Sequence, residues 1–182
     1  GPQIAERLKT KNIYSKFVEG LRVTDIDTIK IVEDVLANEI NTEIVKSIND
    51  SGGNAIGLSG NVNKLISATK LKVEVKDSDS NIEKIVDIGF VGQPTDVNID
   101  LINEHIQAGK IPVIAPLGAD KDKNSYNINA DTAAGYIAGK LKASKLLLLT
   151  DVAGVLGKDK NLISSLTLDE AIKITSEEFI VG

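Results

Sequence analysis

The stretch YNINADTAAGYIAGKLKASKLLLLTDVAGVL, from Tyr126 to Leu156, decides the fold. Its polar start, as far as Asp131, opens a helix rich in alanine and glycine, and small residues let a helix lie close against a sheet. A strand is predicted next at 145–150, because its short unbroken apolar run, Leu146 to Leu149, is typical of a strand covered on both faces. A helix followed by a buried strand predicts the α/β class.

The polar segment before the helix is the first candidate site. Asn127, Asn129 and Asp131 alternate, so in an extended segment their side chains leave on one face and can converge on one polar ligand. A carboxylate at the start of a helix, as at Asp131, is stabilised by free backbone N–H groups and the helix dipole. The alternative is an ordinary capped helix start. We favour a site, because so polar a cluster beside buried elements costs stability unless it is used.

The turn after the predicted strand is the second candidate site. Ligands in open α/β sheets bind beyond the carboxyl ends of the strands, and Thr150 and Asp151 lie at that end. The glycine spacing around Gly53, Gly57 and Gly60 fits neither a dinucleotide fingerprint nor a P-loop. A Rossmann dehydrogenase and a P-loop enzyme are therefore disfavoured.

Composition excludes several classes of function. The 182 residues carry a net charge of −5 with a pI near 5.0, which argues against a nucleic-acid or anionic-membrane partner. The absence of cysteine excludes disulfides and thiol catalysis, and the single histidine, His105, receives no role. No apolar run has the length of a membrane span and no signal peptide is present, so we expect a cytoplasmic or organelle-matrix location. Because methionine is absent, we expect a fragment, a processed form or the ordered part of something longer.

A long amphipathic helix is predicted from Thr24 to the glycine pair at 52–53. Asp27 lies three residues after Thr24, as in a capping box. Apolar residues recur at three- and four-residue steps in one stripe: Ile29, Val32, Leu36, Ile40, Ile44 and Ile48. The sequence leaves open whether this stripe is buried within one subunit or against a second copy.

Periodicity predicts further elements on either side of this helix. They are a helix over 2–12, a strand over 54–60, a hairpin over 70–92, a helix from Asp96 or Asn98 to Gln107, a strand over 111–115 and a capped helix over 168–174. Residues 77–81 lack the glycine and closing glutamate of a calcium loop, so we interpret them as a solvated turn.

Four motifs in this order resemble one known family. They are Gly-Leu-Arg-Val-Thr-Asp at 20–25, Asp-Ile-Gly-Phe-Val-Gly at 87–92, Ile-Pro-Val-Ile-Ala-Pro at 111–116, and the Asn-x-Asn-x-Asp and Thr-Asp-Val-x-Gly-Val segments of the opening stretch. The chain resembles the amino acid kinase family, and within it the acetylglutamate kinases. The resemblance implies a three-layer α/β/α sandwich with a mostly parallel central sheet and a β-hairpin excursion. It also implies a single domain over 1–182, incomplete at both ends, with an acceptor-binding part at about 1–140 and the start of a nucleotide-binding part at about 141–182.

The resemblance also assigns residues to roles. Arg22 with Asn127 and Asn129 would hold the acceptor, and Gly1 would be the last glycine of a substrate-binding loop. An arginine suits this role because its planar fork matches a carboxylate, although a surface ion pair is the commoner use of an isolated arginine. Asp131 would orient the cationic groups around the transferred phosphoryl group. The nucleotide site would be lined by Thr150, Asp151, Val152, Ala153, Gly154, Val155 and Leu156.

The implied reaction moves the γ-phosphoryl group of MgATP to the side-chain carboxylate of N-acetyl-L-glutamate, in arginine biosynthesis. Magnesium would be held mainly by the nucleotide, with no protein metal site. Arginine is an expected effector, and a homodimer is expected through the helix over 25–50. The family's two catalytic lysines fall outside these 182 residues, so the segment alone is expected to be inactive.

Two other functions stay open on the sequence. A sister kinase of the same fold would act on glutamate, aspartate, carbamate or a nucleotide, but should lack the combination of Arg22 with Asn127 and Asn129. A non-catalytic module would bind N-acetylglutamate or arginine without turnover. Activity measurements with several acceptors discriminate among these functions.

Overall fold

The computed structural model describes residues 1–76, 83–157 and 159–176. The chain divides into two compact units, Gly1–Leu146 and Leu147–Gly182. Within the described ranges, every helix is too short or too polar to cross a membrane. The predicted turn at 77–81 lies outside the described residues.

The first unit alternates helices and strands, as the α/β prediction requires. Its helices are α1 Pro2–Thr10, α2 Ile26–Glu33, α3 Asn41–Asp50, α4 Ile99–Gln107 and α5 Ala130–Lys140, and a π-helical segment, Asp34–Ile40, joins α2 to α3. Its strands are β1 Phe17–Val18, β2 Leu21–Arg22, β3 Ala55–Ser59, β4 Ile66–Lys76, β5 Glu83–Val97, β6 Ile111–Ala115, β7 Leu117–Ala119 and β8 Ser125–Asn127. The predicted helices over 2–12 and up to Gln107, and the strands over 54–60 and 111–115, are confirmed.

The strands of this unit pair in three groups. β3 and β6 are parallel, β1 and β2 form a short antiparallel hairpin, and β4, β5, β8 and β7 close into a small barrel. The predicted hairpin over 70–92 is confirmed and is longer than expected, since β4 pairs with β5 from Ile66↔Val97 to Lys76↔Glu83. β8 contacts both β5 and β7, which places the polar segment after Tyr126 in the middle of the barrel wall.

Thr24, rather than capping a helix, fixes the β1–β2 hairpin to β5. The side chain that caps α2 is Asp25, whose Oδ1 accepts a hydrogen bond from the Thr28 N–H at 2.8 Å, so the predicted start at Thr24 is wrong by one residue. Thr24 is fully buried and donates its N–H to the Ile88 carbonyl at 2.9 Å, while its own carbonyl accepts from the Phe90 N–H at 2.6 Å. Sequence spacing alone does not distinguish two adjacent capping residues.

Gly89 permits this junction. Its φ is +80°, and a Cβ added to it would lie 2.0 Å from the Thr24 carbonyl oxygen. Only glycine combines a left-handed backbone with so close an approach of a second chain segment. The chain that leads into and out of Arg22 therefore rests directly on the backbone of β5.

The predicted apolar stripe is buried only in its first half. Ile29 and Val32 are buried against α1, but Ile44 is 43% exposed. The π-helical segment changes which side chains face inward after it. Its turns are wider than those of an α-helix, so they do not follow the period of the sequence pattern. Asn41 therefore faces inward and donates its Nδ2 hydrogens to carbonyls of β3 and β6, at 3.4 Å and 2.8 Å.

The predicted strand over 145–150 is wrong. These residues adopt no regular structure, and Leu147 and Leu149 are 80% and 98% exposed. A short apolar run becomes a buried strand only where neighbouring strands and covering layers exist. Among the residues that the structure describes, no strand pairs with this run.

The second unit contains one helix, α6 Leu168–Ser176, among its described residues. Glu170 Oε2 accepts from the Thr167 N–H at 2.7 Å, and Thr167 Oγ1 accepts from the Glu170 N–H at 3.3 Å. This reciprocal pair confirms the predicted capping box.

Replacement of the Asp25 cap tests the start of α2. At pH 7, Asp25→Ala should lower the free energy of unfolding by about 1 kcal/mol, whereas Asp25→Asn should lower it much less because asparagine also caps well. Urea unfolding followed by circular dichroism measures both variants.

The same cap predicts a pH dependence. Hydrogen bonds from Thr28 lower the pKa of Asp25 below its ordinary value of 3.8. The stabilisation is therefore present above pH 3.8 and is lost as the pH falls through the lower pKa of the folded state. If Asp25→Ala and Asp25→Asn lose the same free energy of unfolding at pH 7, the assignment of Asp25 as the cap is contradicted.

A matched pair of glycine substitutions tests the junction at Gly89. Gly109 has a similar φ of +70° but open space around its Cβ position. Gly109→Ala should cost only the left-handed backbone penalty, about 1–2 kcal/mol. Gly89→Ala should cost clearly more, because the new methyl group must displace Thr24. Equal losses of unfolding free energy in the two variants would show that the close approach is not tight.

Candidate functional site

A cavity of about 220 Å³ in the first unit brings together the four residues predicted to bind substrate. Gly1, Arg22, Asn127 and Asn129 all line it, although they come from the N-cap of α1, from β2, from β8 and from the N-cap of α5. The rest of its wall is mainly apolar and consists of Ile4, Phe17, Gly20, Leu21, Leu36, Val91, Pro116, Ile128 and Ala130. An apolar cavity with a few convergent polar groups is typical of a small-molecule site.

Among the described residues that line the cavity, Arg22 has the only positively charged side chain. The residue is 9% exposed, its Nη1 donates to Ser15 Oγ, and its guanidinium carbon lies 4.8 Å from the centre of the Phe17 ring. Burial lowers the pKa of Arg22 from its ordinary value. An arginine remains charged at neutral pH despite such a shift, so its guanidinium is a fixed positive charge in the cavity wall.

Asn127 and Asn129 present carboxamides to the cavity in two different ways. Asn127 ends β8, and its side chain has no hydrogen-bond partner within the described part of the chain. Asn129 is the N-cap of α5, and its Oδ1 accepts from both the N–H and the hydroxyl of Thr132, at 3.0 Å and 3.2 Å. Asn129 therefore keeps only N–H donors for a ligand, whereas Asn127 keeps both donors and its acceptor.

Asp131 lies outside this cavity. It is exposed in the first turn of α5, and the extended segment that would place it beside the two asparagines ends at Asn129. Its position at the positive end of the helix agrees with the sequence prediction. Its assigned role in orienting cations stays a prediction.

A second cavity of about 400 Å³ adjoins the first and shares Leu21, Val91 and Asn129 with it. Glu19 and Thr132 add polar groups to its wall. A larger cavity of about 520 Å³ lies elsewhere, between β4 and β7, and is lined by three lysines, Lys64, Lys70 and Lys121. None of the predicted site residues lines that cavity, so size alone does not identify the site.

Sequence reasoning missed Ser15 and Phe17. A signal for Phe17 is present in the two-residue turn Glu19-Gly20, which pairs its flanking residues and so places Phe17 opposite Arg22 in the next pair. Both turn residues have positive φ, +47° and +73°, as such hairpins require. No comparable signal exists for Ser15, whose approach to Arg22 depends on the path of an irregular segment.

The predicted nucleotide-site residues form an exposed turn in the second unit. Thr150 Oγ1 accepts from the Val152 N–H at 3.4 Å, and Leu156 pairs with Leu162 in an isolated antiparallel bridge. Gly154 has a φ of +138°, with the Leu162 side chain 2.9 Å from the position of a Cβ. Residues 150–156 contain no cation, so they suit contacts with a nucleotide rather than neutralisation of its phosphates.

Comparison with known proteins identifies relatives along the whole chain. The acetylglutamate kinases of Rhodospirillum centenum and Nitrobacter hamburgensis are 54% and 50% identical to it over all 182 residues. The chain spans 60% of the length of the first relative and 61% of the length of the second.

Solved structures agree on the fold. The protein smu.665 of Streptococcus mutans aligns with a TM-score of 0.81 at 27% identity, over 98% of this chain and 67% of its own. The N-acetylglutamate synthase of Neisseria gonorrhoeae, complexed with coenzyme A and N-acetyl-glutamate, aligns with a TM-score of 0.71 at 22% identity, over 94% of this chain and 37% of its own. Because the identity to the synthase is only 22%, this second match shows a shared fold and nothing further.

The sequence model of the amino acid kinase family matches residues 1–181, nearly the whole chain. That match agrees with the α/β architecture and with the order of motifs along the sequence. The chain belongs to the amino acid kinase family.

Proposed function

We propose that the protein phosphorylates the side-chain carboxylate of N-acetyl-L-glutamate with ATP, as an enzyme of arginine biosynthesis in the cytoplasm. An oxygen of this carboxylate attacks the γ-phosphorus, the bond from that phosphorus to the bridging oxygen breaks, and ADP leaves. The products are an acyl phosphate and ADP. The names of relatives at 50–54% identity support this reaction.

The cavity around Arg22 is the observation that carries the proposal. The acceptor has two carboxylates and an acetamido group, so it needs a cation, donors and an acceptor. Arg22 supplies a planar cation for the carboxylate that does not react. Asn129, with its oxygen engaged in the cap of α5, donates to an acceptor oxygen, and Asn127 can pair with either end of the acetamido group.

The nucleotide part of the proposal rests on residues 150–156. These residues would contact ATP, and magnesium would be held mainly by the phosphates. Bound Mg²⁺ supplies neutralisation of charge on the transferred phosphoryl group. Phosphoryl transfer depends on positioning and electrostatics more than on covalent help, so the residues of the acceptor cavity contribute by fixing where the attacking oxygen lies. Asp131 would orient cationic groups near the transferred phosphoryl group.

A homodimer through α2, the π-helical segment and α3 is part of the proposal. The second half of the apolar stripe supports it, because Ile44 is 43% exposed and Ile48 is only half-buried. A second copy of the same helix would cover these side chains.

A second candidate is a non-catalytic module that binds N-acetylglutamate. The acceptor cavity supports this candidate, because all of its lining residues belong to the unit Gly1–Leu146. Binding would then need no residue of the second unit.

Hydroxamate formation decides between these candidates. The product of the complete gene should form hydroxamate with ATP and N-acetyl-L-glutamate, but not with glutamate or aspartate, because only the acetylated acceptor satisfies Asn127. The 182-residue chain, measured in parallel, should be inactive. Activity with free glutamate or aspartate would identify a sister kinase, and binding without hydroxamate from the complete protein would favour the module.

Acceptor binding tests the role of Arg22 separately from turnover. Arg22→Gln should weaken the binding of N-acetyl-L-glutamate at least about tenfold, as expected for loss of a charge-assisted hydrogen bond. Arg22→Lys should recover only part of this loss, because an ammonium group does not reproduce the bidentate fork. Isothermal titration calorimetry measures both.

Arg7→Gln is the matched control. Arg7 is half-exposed and pairs with Asp34 and Glu39 of the π-helical segment, outside the cavity. Its loss should leave acceptor affinity within about twofold, as for a surface ion pair. Equal effects at Arg7 and Arg22 would contradict the binding site.

A further inference from the structure

We propose that Phe17 and Ser15 are positioning residues, which hold the Arg22 guanidinium in the orientation that receives a carboxylate. The proposal rests on the proposed function, because it assumes that Arg22 binds the acceptor. Neither residue was predicted from the sequence. Both act on the ligand through Arg22.

The geometry fixes the guanidinium from two directions. Phe17 lies directly opposite Arg22 in the β1–β2 hairpin, and its ring centre is 4.8 Å from the guanidinium carbon, within the range of a cation–π interaction. Ser15 Oγ accepts from Nη1. The ring contacts the guanidinium, and the hydroxyl accepts a hydrogen bond from one of its nitrogens, so two separate contacts restrict the group. The remaining N–H donors are left for a ligand.

In the part of the chain that the structure describes, the Arg22 guanidinium has few other groups to stabilise its charge, which explains why contacts from Phe17 and Ser15 matter. Arg22 is 9% exposed, and among the described residues no carboxylate forms an ion pair with it. A buried cation without a counter-ion costs free energy, which the ring and the hydroxyl offset only in part. The arrangement therefore favours an incoming anion and orders the arginine before the anion arrives.

The exposure of Phe17 fits the same explanation. Phe17 is 57% exposed, lines the cavity and contacts the guanidinium, so its position suits support of Arg22 rather than packing in the core. Its aromatic face carries the negative part of the ring quadrupole, which attracts a cation, whereas leucine of similar size offers only apolar contact. We therefore expect an aromatic ring at this position to hold the guanidinium better than an aliphatic side chain.

A preorganised arginine binds its ligand with a smaller loss of side-chain entropy. Ordering a flexible side chain on binding lowers affinity, and a group ordered in advance avoids that loss. Loss of Phe17 or Ser15 should therefore weaken acceptor binding and raise KM, with little change in kcat. A residue that acted on the transferred phosphoryl group would instead lower kcat.

A double-mutant cycle on acceptor affinity tests the proposal in the complete protein. Phe17→Leu should weaken the binding of N-acetyl-L-glutamate about three- to tenfold, and Phe17→Trp should retain affinity because tryptophan is the best cation–π partner. Ser15→Ala should weaken binding about threefold, as expected for one lost hydrogen bond. Tyr14→Leu removes a neighbouring aromatic ring that is 79% exposed and does not line the cavity, so its affinity should not change.

The decisive measurement repeats Phe17→Leu and Ser15→Ala in the Arg22→Gln background, with ligand raised until binding saturates. Residues that act through Arg22 should have almost no effect there, because strong coupling is the signature of a shared interaction. If either substitution weakens binding equally in both backgrounds, that residue does not act by positioning Arg22. Ser15 is half-buried on an irregular segment, so Ser15→Ala keeps the test decisive if Phe17→Leu disturbs folding.

Failure of the proposed function gives a different result. If Arg22→Gln binds N-acetyl-L-glutamate as tightly as the unmodified protein, the assumed site is wrong, and the positioning proposal falls with it. If Arg22→Gln loses affinity while Phe17→Leu and Ser15→Ala keep it, the proposed site stands and only the positioning role is overturned.

Discussion

The cavity around Arg22 depends on the backbone junction between Thr24 and Gly89. Two hydrogen bonds, at 2.9 Å and 2.6 Å, join the chain after Arg22 to β5, and the left-handed glycine lets the two segments meet at that distance. The junction also sets the start of α2, because Asp25 caps that helix one residue later. One close approach therefore fixes the position of the buried cation relative to β5 and the barrel that β5 shares with β8.

The barrel brings the polar segment to the same place from the other side. β8 lies between β5 and β7, and the helix α5 begins three residues after it ends. The turn into α5 uses the Asn129 oxygen as a cap, which leaves its N–H donors for the cavity. A structural requirement, capping of a helix, thus determines which half of a carboxamide is offered to a ligand.

Much of this site could be predicted from the sequence. Arg22, Asn127 and Asn129 were expected to act together, and all three line one cavity. Asp131 was grouped with them by alternation, but the extended segment ends before it. Hydrophobic periodicity gives the wrong buried residues where the chain does not form the regular helix or strand that the periodicity assumes. The π-helical segment turned Asn41 rather than an apolar residue toward β3 and β6, and the predicted strand at 145–150 has no partner strand among the described residues.

The sequence by itself determined the family, the alternation of helices and strands, and the identity of the polar residues, because periodicity, capping residues and motif order are local properties. Only the tertiary structure decided that Phe17 and Ser15 support Arg22, that Thr24 is buried at a junction rather than capping a helix, and which atoms of Asn129 remain free. These features depend on contacts between segments, and their geometry is set by packing and backbone hydrogen bonds that no local pattern encodes.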